Sequence, residues 1–124
     1  MNYIYMALGG ILGVWGRFLV GGAVFRWLKL GPPYGTLIVN VSGCLLIGFF
    51  ATLAEVKGSL GPGARSFIFI GFLGAYTTFS TFMFESFALI DQSRLAVGLG
   101  NVLLSVTLGY LSLALGVVLG KTLA

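Results

Sequence analysis

The residues best suited to chemistry lie between Gly71 and Glu85, where hydroxyl groups and one carboxylate interrupt a run of apolar side chains. Four aliphatic hydroxyls follow one another closely, at Thr77, Thr78, Ser80 and Thr81. Polar atoms in the hydrocarbon core of a membrane need hydrogen-bond partners or a water-lined path. Because hydroxyl hydrogens can replace water around an anion, the segment indicates ion permeation.

Two phenylalanines, Phe79 and Phe82, lie three residues apart in the same segment. The positive edge of a phenyl ring attracts an anion weakly. In a continuous helix, Ser80, Thr81 and Glu85 share one arc with Thr77 and Thr78, and the two rings lie beside that arc. The pattern leaves two interpretations, an anion path lined by weak donors and an ordinary packed helix.

Asn40 lies on a helix face with Thr36, Gly43 and Cys44, at spacings of four, three and one. An amide inside the membrane is costly unless it is hydrogen-bonded or wet. A hydrogen bond between helices is one interpretation. The other is a pore-lining role, because the amide carries two N–H donors that suit an anion.

Arg17 lies deep in the first apolar run, so its side chain is expected to face protein or water. A contact with Glu85 is one hypothesis, because the first and third helices run in the same direction. The other hypothesis places Arg17 at the mouth of a vestibule, where it raises the local anion concentration.

Composition determines the elements that carry these residues. The chain has 124 residues, of which 58% are hydrophobic and 8% charged, and its mean hydropathy is +1.06. A helix of about 20 apolar residues spans a membrane. The sequence predicts a single all-α transmembrane domain over 1–124, with helices near 3–28, 34–54, 66–90 and 95–119.

The same composition disfavours other classes of function. The chain has no histidine, one cysteine and three acidic residues, and no acid/base pair or metal-ligand spacing is visible, so an enzyme is not expected. A net charge of +4 is scattered over helix ends. That pattern makes no patch for nucleic acid.

The basic residues of the loops divide evenly between the two membrane sides. One side has Lys57, Arg65 and Lys121, and the other has Arg26, Lys29 and Arg94. Orientation follows Lys/Arg asymmetry, so the chain is predicted to insert both ways round and to form an antiparallel homodimer. The pairs Gly9-xxx-Gly13 and Gly116-xxx-Gly120 suit either a dimer seam or packing within one subunit.

The stretch from Gly74 to Thr77 is a predicted break near the middle of the third helix. Glycine opens backbone conformations that other residues avoid. A broken membrane helix exposes carbonyls that can coordinate a cation, and a two-fold copy would bring a second set. A glycine packing notch is the alternative.

These motifs resemble the small bacterial fluoride channels, the Fluc or CrcB family, over essentially the whole chain. The resemblance rests on three segments: Gly13 to Phe18, Gly35 to Gly43, and Gly71 to Glu85 with its core Thr-Thr-Phe-Ser-Thr-Phe. It implies a multi-pass protein of the bacterial inner membrane, an antiparallel dual-topology homodimer that lets toxic fluoride leave the cytoplasm passively.

The resemblance also implies roles for single residues. Phe79 and Phe82 look like the rings that contact fluoride, and Asn40 looks like the pore amide. Ser80 and Thr81 resemble a polar track beside the rings. Gly74 and Thr77 would give backbone oxygens to a structural Na⁺ at the dimer centre. Arg17 and Glu85 match family positions as vestibule or structural charges.

Two other classes of function compete with a channel. A four-helix proton-coupled exporter of cations has a similar size, but it needs an acidic residue deep in the membrane, and the first helix offers Arg17 instead. An accessory membrane protein is the remaining alternative. It would show no ion flux in liposomes.

Overall fold

A computed structural model describes residues 2–124 and contains four helical spans long and apolar enough to cross a membrane. They are Tyr3–Leu28, Tyr34–Lys57, Pro62–Asp91 and Leu95–Leu123. With a rise of about 1.5 Å per residue, each exceeds the roughly 30 Å thickness of the hydrocarbon layer. The predicted all-α architecture with four spanning helices is confirmed.

The last three helices extend past the ends expected from apolar residues alone. The second helix continues to Lys57 because its stop is Gly58, whose φ of 58° is left-handed and suits glycine. The third begins at Pro62, which lacks the N–H that the first turn of a helix leaves unpaired. Polar residues at these ends stay helical where the membrane meets water.

The third span consists of two halves. The upstream half, residues 62–76, runs through Pro62–Arg65, a π-helical stretch at Ser66–Leu73 and Gly74–Tyr76. The downstream half is Phe79–Asp91. Thr77 and Thr78 between them are extended, with φ and ψ of −83° and 156° and of −149° and 120°. The predicted interruption of the third helix is confirmed and lies at these two threonines.

The break changes which helix the third span contacts. The upstream half packs along the first helix, whereas the downstream half packs against the fourth helix. The fourth helix in turn packs along the second. A continuous straight helix keeps one direction, so the extended residues are what allow the chain to change partners.

Glycines bring the helix backbones close together inside the subunit. A methyl group at Gly116 would overlap the carbonyl oxygen of Leu45, and one at Gly9 would overlap that of Phe67. Gly13 and Gly120 contact neighbouring backbone in the same way. Both small-residue pairs therefore serve helix packing within one subunit.

We predict that Gly116→Ala lowers the free energy of unfolding by about 1–3 kcal/mol, because the new methyl group meets main-chain atoms that cannot move aside. Gly100→Ala on the same helix is the matched control, since no atom lies near its added methyl group. Thermal unfolding in detergent measures both. Equal melting temperatures for the two variants would contradict the prediction.

Candidate functional site

The break in the third span is held by the side chain of Asn40 on the second helix. Its Nδ2 donates to the carbonyl of Thr78 at 2.9 Å, and its Oδ1 accepts from the N–H of Thr78 at 2.8 Å. One amide thus satisfies both main-chain polar groups of an extended residue, as a neighbouring strand would do. The second Nδ2 hydrogen has no partner within residues 2–124.

A second-helix glycine makes room for this contact. A methyl group at Gly43, three residues after Asn40, would overlap the Cγ2 of Thr77. Thr77 also donates its hydroxyl to the carbonyl of Leu73 at 2.9 Å. The second helix therefore packs against Thr77 through Gly43 and is hydrogen-bonded to Thr78 through Asn40.

The break leaves the four carbonyl groups of residues 74–77 without their helical partners. In a continuous helix, the N–H groups of residues 78–81 would bond them in turn. The N–H of Thr78 bonds Asn40 instead, and that of Thr81 bonds the hydroxyl of Thr78 at 3.4 Å. The N–H groups of the first two residues of the downstream half have no acceptor within their own helix. The oxygens of Gly74 and Thr77 are thus the outer two of four carbonyls that lack a helical donor.

No cluster of carboxylate, thiol or imidazole side chains accompanies these carbonyls. Within residues 2–124, no group of three or more His, Cys, Asp or Glu could hold a metal ion. The oxygen atoms present at the break are main-chain carbonyls, two threonine hydroxyls and the Asn40 amide oxygen.

The downstream half begins with a side-chain cap. Thr78 is the N-cap residue, and its hydroxyl donates to the hydroxyl of Thr81 at 3.1 Å in addition to accepting from the Thr81 N–H. A threonine at this position satisfies a donor that the first helical turn leaves unpaired. The two hydroxyls are thereby linked at the start of the half-helix.

Three open cavities follow one another along the break and the downstream half. One of about 320 Å³ is lined by Asn40, Thr77, Thr78 and Phe79. A larger one of about 670 Å³ shares Thr78 with it. The third, about 370 Å³, shares Thr81 and Glu85 with the large cavity. Polar side chains therefore stand at both junctions between neighbouring cavities.

The carboxylate of Glu85 bonds to the second helix. Thr36 donates its hydroxyl to Oε1 of Glu85 at 2.9 Å. The other oxygen, Oε2, is buried without a partner within residues 2–124. Arg17 lines the same large cavity. No ion pair joins it to Glu85 within residues 2–124, where Thr36 is the hydrogen-bond partner of the carboxylate, so a direct contact between Arg17 and Glu85 stays a prediction.

The two phenylalanine rings meet edge to face. The ring centroids of Phe79 and Phe82 are 5.8 Å apart, with an interplanar angle of 67°. Phe82 is 6% exposed, whereas Phe79 is 73% exposed and lines the cavity that Asn40 also lines. The pair thus runs from the packed interior of the subunit to its surface.

The predicted arc of hydroxyls divides into two faces. Thr81 and Glu85 line the cavities, whereas Ser80 is exposed and lines none of the three. The extended residues reset the rotation of the downstream half, so an arc measured from Thr77 does not continue into it. Ser80 remains a predicted pathway residue that faces outward from the single subunit.

The sequence patterns did not predict the hydrogen-bond partners of Glu85 and Ser86. Thr36 shares a helix face with Asn40 at a spacing of four, and that spacing was the signal for a second polar contact with the third span. Ser86 and Asn101, both buried, are bonded to each other at 2.8 Å. Nothing in their local sequence indicates that contact.

The chain is similar to proteins of one family. The family model described as CrcB-like protein, Camphor Resistance (CrcB), matches residues 4–117. Relatives named fluoride-specific ion channel FluC align over nearly their full length. The protein of Desulforapulum autotrophicum is 38% identical over 97% of this chain and 96% of its own. That of Solibacter usitatus is 42% identical, over 98% and 99%.

We predict that Asn40→Leu, which keeps the approximate volume of the side chain but removes both hydrogen bonds, lowers the free energy of unfolding by roughly 2–4 kcal/mol. The Thr78 amide should also exchange faster with deuterium. Thr122→Val is the control, because the Thr122 hydroxyl bonds only the preceding turn of its own helix at the exposed chain end. Unchanged exchange at Thr78 would contradict the assignment of Asn40 as the clamp.

Proposed function

The chain belongs to the CrcB-like protein family, and from that premise we propose that it is a fluoride-specific ion channel that lets fluoride leave the bacterial cytoplasm passively. It is a multi-pass bacterial membrane protein and an ion channel rather than an enzyme. The single observation that supports the proposal is the row of weak donors along the three neighbouring cavities, which share lining residues.

These donors suit the ion. Fluoride is small and tightly hydrated, so a pore has to replace its water without holding it in one deep site. The linked hydroxyls of Thr78 and Thr81, the remaining N–H of Asn40 and the edge of the Phe79 ring are each weak donors. Several weak donors in sequence allow binding and release at each step.

The positive charge of Arg17 at the large cavity also supports a path for an anion. Arg17 lines that cavity without an ion pair to Glu85, so its guanidinium contributes positive potential near the path. A cation beside a narrow, poorly solvated opening raises the local anion concentration. The carboxylate of Glu85 is bonded by Thr36, which withdraws one of its oxygens from the path.

The functional unit we propose is an antiparallel dual-topology homodimer. The even division of basic residues between the two sides supports insertion in both orientations. Phe79 supports a partner copy, because a pore-contacting ring that is 73% exposed in one subunit needs a second wall. Two copies related by an axis in the membrane plane would create two equivalent paths.

We also propose a structural Na⁺ at the dimer centre, held by backbone oxygens of Gly74 and Thr77. The break supports this site, because the carbonyls of both residues are among the four, at residues 74–77, that lose helical partners. A two-fold copy would supply two more oxygens, making four. An ion there would stabilise both breaks and fix the subunits in register.

We predict that purified protein in liposomes releases fluoride down its gradient far faster than chloride and without a proton gradient, since its path offers weak donors and the carboxylate that lines it, Glu85, is held by the Thr36 hydroxyl. A fluoride-selective electrode follows the efflux. Equal chloride flux, or flux that requires a proton gradient, would contradict the channel. Absence of any flux would favour an accessory membrane protein.

Removal of one ring should lower throughput. We predict that Phe82→Ala reduces fluoride efflux about fivefold, because the edge-to-face pair of Phe82 and Phe79 contributes on the order of 1 kcal/mol, which corresponds to about that change in rate. Phe87→Ala is the matched control on the same half-helix. Neither ring lines the three cavities, but Phe82 pairs with the cavity-lining ring of Phe79, whereas the Phe87 ring is 65% exposed and is not paired with it. Equal efflux by both variants would remove Phe82 from the pathway.

Sodium dependence tests the central ion. Replacing Na⁺ on both sides of the membrane with N-methylglucamine, which is too large for the break, should reduce dimer stability and fluoride flux together. The measurement is cross-linking yield alongside electrode efflux, with added Na⁺ as the control that restores both. Indifference of assembly and flux to the cation would overturn the sodium site.

A further inference from the structure

A buried polar chain joins the fourth helix to the half-helix that carries the phenylalanine rings. Nδ2 of Asn101 donates to the Ser86 hydroxyl at 2.8 Å, and that hydroxyl donates to the carbonyl of Phe82 at 2.8 Å. Asn101 is 7% exposed and Ser86 3%. Buried polar groups are costly unless they are paired, so this chain strongly favours one arrangement of the two helices.

The fourth helix packs so closely against the turn that contains Ser86 that the two helices can shift little along each other. A methyl group at Gly98 would come within 2.9 Å of the Ser86 carbonyl and 2.6 Å of a side-chain carbon of Ile90. Gly98 is three residues before Asn101, on the same helix face. Close backbone approach therefore fixes the register at which the Asn101 amide reaches Ser86.

The downstream half needs such an external support. Its main-chain hydrogen bonds to the upstream half stop at Thr77 and Thr78, so the upstream half does not set its rotation about its own axis. Asn40 and Thr36 hold it from the second helix. Ser86 holds it from the fourth helix, one turn after Phe82, and its hydroxyl also donates to the carbonyl of Phe82.

We propose that Asn101 is a positioning residue for Phe82. Acting through Ser86, it sets the rotation of the downstream half and thereby aims the Phe82 ring, whose centroid lies 5.8 Å from that of Phe79. The inference rests on the proposed fluoride pathway. Asn101 acts from outside that pathway, because its amide hydrogen bonds Ser86 and its oxygen accepts from Ser105 at 3.4 Å.

The first test is a double-mutant cycle on fluoride efflux from liposomes. Asn101→Leu and Ser86→Ala should each lower efflux about tenfold, the change in rate that corresponds to one lost buried hydrogen bond. The double variant should be no slower than either single variant, because both remove the same contact. Multiplied losses would mean that Asn101 acts independently of Ser86, and unchanged efflux in Asn101→Leu would mean that it has no role. Either result overturns the proposal.

The matched control is Ser112→Ala on the same helix. It removes another hydrogen bond between helices, from the Ser112 hydroxyl to the carbonyl of Val41 at 2.9 Å. That bond reaches the second helix rather than the downstream half. Fluoride efflux by Ser112→Ala should stay within about twofold of the parent, since the surroundings of the Phe82 ring are unchanged. A loss as large as that of Asn101→Leu would show a general effect of helix contacts and overturn a specific positioning role.

The second test observes the ring itself and does not depend on transport. 4-Fluorophenylalanine is placed at position 82 or, as a control, at position 67 in the upstream half. Asn101→Leu should shift or broaden the ¹⁹F resonance at 82 and leave that at 67 unchanged. Equal changes of the resonances at both positions would indicate global loosening of the protein. An unchanged resonance at position 82 would show that the ring has not moved. Either result overturns the proposal. If the parent protein passes no fluoride, the proposed function fails while this measurement still decides the positioning role.

Discussion

The fold depends on pairing the main-chain polar groups that a broken helix exposes inside a membrane. Unpaired main-chain groups in hydrocarbon cost several kcal/mol each (about the scale of an unmade hydrogen bond). The Asn40 amide pairs both polar groups of Thr78, and the Thr78 hydroxyl caps the helix that follows. This pairing makes the break tolerable. The carbonyls of residues 74–77, which include those of Gly74 and Thr77, are left without helical donors.

The consequences of the break extend through the whole subunit. The third span leaves the first helix and joins the fourth, and Thr81 and Glu85 of its downstream half line two of the three cavities. Polar contacts from the second helix hold one side of that half, and Asn101 with Ser86 holds the other. A segment with few main-chain ties is thus oriented by side chains from two neighbours.

Sequence patterns predicted the four spans and the interruption, because hydropathy and glycine content are local properties of the chain. They placed the break within Gly74 to Thr77 but did not resolve it to Thr77 and Thr78, which depends on Asn40 from another helix. They also placed Ser80 and Thr81 on one arc with Thr77, since helical angles were counted across residues that are extended. Contacts such as Thr36 with Glu85 depend on the relative height and rotation of two helices, and neither can be read from one periodic pattern.

In the proposed channel, the Asn40 amide both clamps the break and presents its remaining N–H to the passing ion. Solid-state NMR of protein with ¹⁵N-labelled asparagine side chains in bilayers tests this dual role directly. The chain has three asparagines, Asn2, Asn40 and Asn101, and the bonded Asn101 amide is an internal reference. We expect that fluoride, but not equal chloride, shifts the Asn40 side-chain resonance. An Asn40 signal that ignores fluoride in conducting protein would contradict it.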